Sequence, residues 1–71
     1  MAVAVLAAAP AAVRTRALHR WVREAGSPGG ALAHRHIAAV DRLVTDWRGQ
    51  GPVDLPGTLR VCRDGPVLRV R

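Results

Sequence analysis

The sequence predicts a mainly α chain: an amphipathic helical hairpin followed by a short β-hairpin. Three observations predict it. Apolar residues recur at helical spacing in two stretches, a Gly/Pro-rich pentapeptide separates those stretches, and strand-like alternation takes over after Gly49. The chain divides accordingly into an N-terminal tail over residues 1–9, the helical hairpin over 10–48, and a turn with a β-hairpin over 49–71.

The opening stretch, Met1 to Ala9, is apolar without a clear period, and it reads as the tail of an earlier helix or as a disordered end. No Lys or Arg precedes this run, which argues against a secretory signal. Pro10 then suits the first turn of a helix, where its missing N–H costs nothing. At about 100° per residue, Val13, Ala17, Leu18, Trp21, Val22 and Ala25 share one half of that helix. Arg16, His19, Arg20 and Arg23 share the other. Arg14 falls inside the apolar arc, where its stem is expected along the core and its head in water.

Gly26-Ser27-Pro28-Gly29-Gly30 ends the first helix. The second, Leu32 to Trp47, places Leu32, Ala33, His36, Ile37, Ala39, Val40, Leu43, Val44 and Trp47 on one arc. His34, Arg35, Asp41, Arg42, Thr45 and Asp46 fill the rest, which puts Asp41 and Asp46 in solvent. The expected core therefore includes Val13 and Trp47, with His36 as a hydrogen-bonded core histidine. After Gly49, Val53 to Leu55 reads as a short extended stretch. Leu59 to Arg63 and Val67 to Val70 flank Asp64-Gly65-Pro66 as a hairpin, with Pro66 suited only to an edge.

Length and charge bound the function. A chain of 71 residues forms one small domain at most. It buries only about 60% of the surface its unfolded form exposes, and it carries a single cysteine, so no internal disulfide assists it. The lone thiol agrees with a reducing cytoplasm. The net charge is +6, and all eleven basic residues are arginine. A genome-wide bias accounts for the choice of arginine over lysine more readily than for the excess of positive charge. A planar, permanently charged fork of donors suits phosphate, so a polyanionic partner is expected. Two tryptophans are the only aromatics, which argues against a stacking sheet for single strands. No apolar run reaches the roughly 20 residues a membrane helix needs.

Catalytic and metal-binding patterns are missing. There is no Gly-rich phosphate loop followed by Lys and Ser/Thr, and no Cys/His cluster at zinc spacing. His34 and His36, two apart on a helix, point in nearly opposite directions and cannot share a metal. Gly29-Gly30, though it precedes a helix, reads as a plain interhelical turn. Cys62 has no base beside it in sequence. The arginines are the functional candidates. Arg16, Arg20 and Arg23 share one helix face, and only Glu24 offsets them locally.

The order of these residues resembles a known family. Ala9-Pro10-Ala11-Ala12-Val13-Arg14-Thr15-Arg16-Ala17-Leu18-His19-Arg20-Trp21 is similar to the Leu-Pro-x-x-x-Arg-x-Arg-x-Leu-x-Arg-Trp stretch of tRNA(Ile)-lysidine synthases. Gly26 and the spacing Leu32, His36, Ile37, Val40, Leu43, Val44 continue the likeness. Thr45-Asp46-Trp47-Arg48-Gly49-Gln50-Gly51-Pro52-Val53-Asp54-Leu55-Pro56-Gly57 is its most specific part, and the strand pair with Arg60 and Arg63 follows.

The resemblance implies a C-terminal, substrate-binding fragment of an ATP-dependent ligase. That enzyme adenylates the wobble cytidine of tRNA(Ile) and joins lysine to it. The family's catalytic Ser-Gly-Gly-x-Asp-Ser loop does not occur here, so no catalytic residue is carried over, and ATP and Mg belong to the full-length enzyme. The implied partners are tRNA(Ile) and the enzyme's N-terminal domain, with self-association through exposed apolar faces a further expectation. Candidate tRNA-binding residues are Arg16, Arg20 and Arg23, with Arg48 and Arg60 from the later stretches. Two other readings stay open: an independent basic RNA- or DNA-binding hairpin, and a protein-interaction hairpin.

Overall fold

A computed structural model describes residues 1–71. It contains three helices, α1 (Val3–Ala8), α2 (Ala11–Glu24) and α3 (His34–Thr45). Three strands follow, β1 (Val53–Leu55), β2 (Leu59–Asp64) and β3 (Val67–Val70). The strands form one antiparallel sheet in the order β1-β2-β3. The helix-then-hairpin plan is present, but "mainly α" understates the sheet. The extended stretch at residues 53–55 is a third strand, pairing Val53 with Val61, Asp54 with Arg60 and Leu55 with Leu59.

α1 replaces the expected tail. Alanine favours its helical backbone, yet six residues are too few to hold a helix in water. Tertiary contacts hold it instead. Val3 and Leu6, one turn apart, are buried. Ala2 bridges to Val67, the Val3 N–H donates to the Pro66 carbonyl at 2.9 Å, and the Leu68 N–H donates to the Met1 carbonyl at 2.8 Å. The free edge of β3 is thereby covered. Pro10 drives Ala9 into an extended conformation, φ −82° and ψ 149°, which ends α1 and lets α2 start in a new direction.

α2 matches its predicted span closely. Leu18 and Val22 are fully buried on its apolar face, with Ala17 and Trp21 packed beside them. It ends in a Schellman motif: Ser27 N–H reaches the Val22 carbonyl and Gly26 N–H reaches the Arg23 carbonyl, both at 3.0 Å. That closure requires the left-handed φ of 115° at Gly26. Val13, expected in the core, is 52% exposed and borders a surface depression with Arg16, Ala17 and Arg20 of its own helix.

α3 is shorter than its apolar period. Ala33 is extended, and its N–H donates to Nδ1 of His36 at 2.8 Å, so the side chain three residues on fixes the start. His36 is thus a half-buried cap rather than a core histidine. Ile37, Val40, Leu43 and Val44 supply the buried stripe. Asp46 leaves helical geometry at φ −141°, which throws Trp47 to the surface at 39% exposure instead of into the core. The indole is covered from one side by the Arg63 guanidinium, 5.0 Å from the ring centroid.

One prediction about charge is overturned. Asp41 does not face solvent. Its two carboxylate oxygens accept from Nε and a terminal nitrogen of Arg14, at 2.5 and 3.2 Å. The side chains of Arg14 and Asp41 are only 13% and 17% exposed. The Arg14 head, expected in water, clamps α2 to α3. Helical periodicity counts both residues correctly by angle, but a facing helix converts a wet position into an interface.

The sheet closes the core from below. Leu55, Val61 and Leu68 point inward and join the helical residues in one buried cluster. Two turns meet at the join. The buried Ser27 hydroxyl donates to the Pro56 carbonyl at 2.9 Å, and Gly57, at φ 86°, lies so near Pro28 that a Cβ would stand 2.8 Å from its Cδ. Arg63 adds a third tie by donating to the Leu43 carbonyl at 2.9 Å, near the end of α3. No helix is long and apolar enough to cross a membrane.

Candidate nucleic-acid interface

The exposed side of α2 carries Arg16, His19, Arg20 and Arg23, which border one shallow depression together with Glu24. The helical repeat alone aligns them. Arg20 donates from Nε to Glu24 at 3.0 Å, but the pair is 83% and 64% exposed and holds the guanidinium only loosely. Arg23 is exposed and lies over Gly29, whose hydrogen leaves it room: a Cβ there would stand 2.8 Å from Arg23 Nε. Gly29 therefore serves the interhelical turn and its arginine. Arg16 has no carboxylate partner.

The other two candidates lie elsewhere. Arg48 follows α3 and pairs with Asp46 at 3.1 Å. Arg60, on β2, pairs across the strands with Asp54 at 2.8 Å. Neither borders the α2 depression. The structure thus brings together Arg16, Arg20 and Arg23, and holds Arg48 and Arg60 apart in exposed ion pairs.

A second depression runs between α2 and α3, with a volume of about 580 Å³. Ala12, Thr15, Arg16 and His19 form one wall, and His34, Ile37, Ala38, Asp41 and Arg42 form the other. The small side chains of Ala12, Thr15 and Ala38 leave the groove open where larger ones would fill it. Sequence reasoning missed His34 and Arg42 as members of a site. Both were legible as wet residues of the second helix, but the side of α3 that turns toward α2 depends on the crossing. Asp41 brings no free negative charge, since Arg14 occupies both of its oxygens. The hydrogen bond to Asp41 raises the Arg14 pKa; burial opposes the rise and the carboxylate charge adds to it.

Each of the five carboxylates, Glu24, Asp41, Asp46, Asp54 and Asp64, is paired with arginine. No three His, Cys, Asp or Glu residues converge. Cys62 is half-buried on the outer sheet face opposite Arg69.

Fold and site together define a small arginine-rich helix-and-sheet module whose accessible chemistry is cationic. Residues 1–66 match the family model of the TilS substrate binding domain, and the chain belongs to that family. It is 56% identical over 68 residues to a tRNA(Ile)-lysidine synthase of Streptomyces coelicolor, covering 96% of this chain and 19% of that protein. It is also 56% identical over 63 residues to the one from Salinispora tropica, covering 89% and 19%. With the Mycobacterium tuberculosis protein it shares 47% over 60 residues, covering 84% and 18%. The chain therefore spans about a fifth of the length of the curated relatives it matches. No solved structure matches it.

Proposed function

We propose that the chain is the tRNA-holding part of a tRNA(Ile)-lysidine synthase, with the chemistry carried by portions of the enzyme beyond these residues. The relatives' name describes joining lysine to an isoleucine tRNA. ATP and Mg would serve that reaction in the enzyme's nucleotide-binding domain. The role left to this module is to grip the RNA and dock on that domain, in the cytoplasm.

The observation that carries this reading is the unpaired arginine surface of α2 in a chain of this family. Arg16 and Arg23 have no carboxylate partner, and Arg20 is tied only through an exposed pair. Guanidinium groups on a helix face contact phosphates without reading sequence, so they fix the position of the RNA rather than its identity. Arg48 and Arg60 add little to that contact while Asp46 and Asp54 hold them in ion pairs.

Filter binding of unmodified tRNA(Ile) to the purified chain, across a salt series, tests the proposal. Each phosphate contact should contribute about 0.7–0.9 to the slope of log K against log salt, so three contacts predict a slope near −2 to −3. A flat line between low and physiological salt would remove the phosphate-binding role altogether.

A further inference from the structure

We propose that the groove between α2 and α3 takes a single unstacked nucleotide of the bound RNA. Its phosphate would lie between Arg16 and Arg42, with its sugar and base against Ala12, Ile37 and Ala38. The inference rests on the RNA-binding reading above and specifies how one part of the surface is used.

Three observations lead to it. The first is shape. A groove of about 580 Å³ lies in the range of small-molecule sites, and its apolar lining, Ala12 on one wall and Ile37 and Ala38 on the other, offers a surface that a phosphate backbone alone does not need. The second is charge. Arg16 and Arg42 stand on opposite walls, and neither has a carboxylate partner. Asp41, the one acid in the lining, is neutralised by Arg14, so the groove presents net positive charge to an incoming anion. The third is stacking. His19 and His34 flank the groove from the two helices, and imidazole rings and guanidinium planes are stacking partners for splayed bases. A chain without Phe or Tyr has no better ones except its two tryptophans, neither of which borders the groove. A duplex keeps its bases paired inside and offers only its phosphates, so it would lie across the groove. A single-stranded nucleotide can enter.

The test uses the 71-residue chain, a fluorescein-labelled hexauridylate and an RNA duplex with the same number of phosphates, by anisotropy at roughly 50 mM salt. Replacing both Arg16→Ala and Arg42→Ala should weaken the hexauridylate about tenfold. Ala38→Leu fills the groove and leaves the charge unchanged. It should weaken the hexauridylate about three- to tenfold while leaving the duplex within about twofold. Ala12→Leu, at an exposed position on the opposite wall, repeats the block should Ala38→Leu disturb the fold, and circular dichroism reports on folding in both. Hexauridylate binding that survives a folded groove-filling variant unchanged overturns the proposal, as does an equal loss for the duplex. Failure of the unaltered chain to bind either RNA would instead sink the RNA-binding reading on which it stands.

Discussion

The helical part and the sheet part of this molecule use the same residue type in opposite ways. Residues 1–48 hold seven arginines and three carboxylates; residues 49–71 hold four arginines and two carboxylates. By composition the two parts look alike. In the sheet, however, every arginine is engaged. Arg60 pairs with Asp54, Arg69 and Arg71 share Asp64, and Arg63 donates to the Leu43 and Gly65 carbonyls. Along the helices, Arg16, Arg23, Arg35 and Arg42 have no carboxylate partner. The cause lies in geometry. Antiparallel register sets Asp54 directly opposite Arg60, while α2 and α3 spend their one buried carboxylate on Arg14. Availability for a polyanion follows from pairing rather than from a charge count.

The comparison presumes that both parts fold as one unit, and its harshest test is Leu43→Ala. Leu43 is fully buried, and its carbonyl accepts from Arg63 of the sheet. Truncation should cost about 2–5 kcal/mol. A chain of this size has on the order of 4–10 kcal/mol in total, so roughly half of its stability should be lost and the melting temperature should fall steeply. Thermal melts followed by far-UV dichroism and by tryptophan fluorescence should shift together. Two separated transitions would mean that the sheet stands without the helices.

Next in size is the contrast in RNA binding. Arg16→Ala with Arg42→Ala should lower affinity for tRNA about tenfold, and Arg60→Ala with Arg69→Ala by less than about twofold, because the latter pair is already satisfied by aspartate. Equal losses from the two double variants would erase the distinction between the regions. Smaller again is Ser27→Ala, which strips a buried hydroxyl from the Pro56 carbonyl at the join. A loss of about 1–2 kcal/mol is expected in urea unfolding, with RNA affinity unchanged once the protein is folded.

What the sequence made legible follows the range of each interaction. α2 and the buried stripe of α3 were readable because a helical period repeats over 14 and 12 residues. The β2–β3 hairpin was readable from alternation around Asp64-Gly65. α1 was not, because six residues hold too little pattern and its anchors are main-chain bonds to residues 66–68, at the far end of the chain. The Arg14–Asp41 clamp escaped for a related reason: α3 viewed alone places Asp41 in water, and α2 viewed alone gives the Arg14 head no partner but water. At the candidate interface, the alignment of Arg16, Arg20 and Arg23 needed only helical geometry. Membership of His34 and Arg42 in the groove needed the crossing of two helices, which no single period encodes. Thr45 to Gly57, the most specific part of the family likeness, is mostly a structural seam. Gln50 folds back with its Nε2 3.1 Å from the Asp46 carbonyl, Trp47 lies under Arg63, and Pro56 accepts from Ser27.

The finest test of the comparison adds binding instead of removing it. If the sheet arginines are silent because Asp54 and Asp64 occupy them, releasing those carboxylates should make the sheet resemble the helices. Asp54→Asn with Asp64→Asn keeps side-chain shape, removes two negative charges and leaves Arg60, Arg69 and Arg71 without ionic partners. These pairs are more than half exposed, so breaking them should cost little stability. RNA affinity should rise, but by no more than about threefold, with a salt slope steeper by about 0.7–0.9 for each new phosphate contact. A rise in affinity with no change in slope would come from the altered overall charge and not from new contacts. A steeper slope would locate the switch in the pairing itself, and would mean that the two regions differ only in the company their arginines keep.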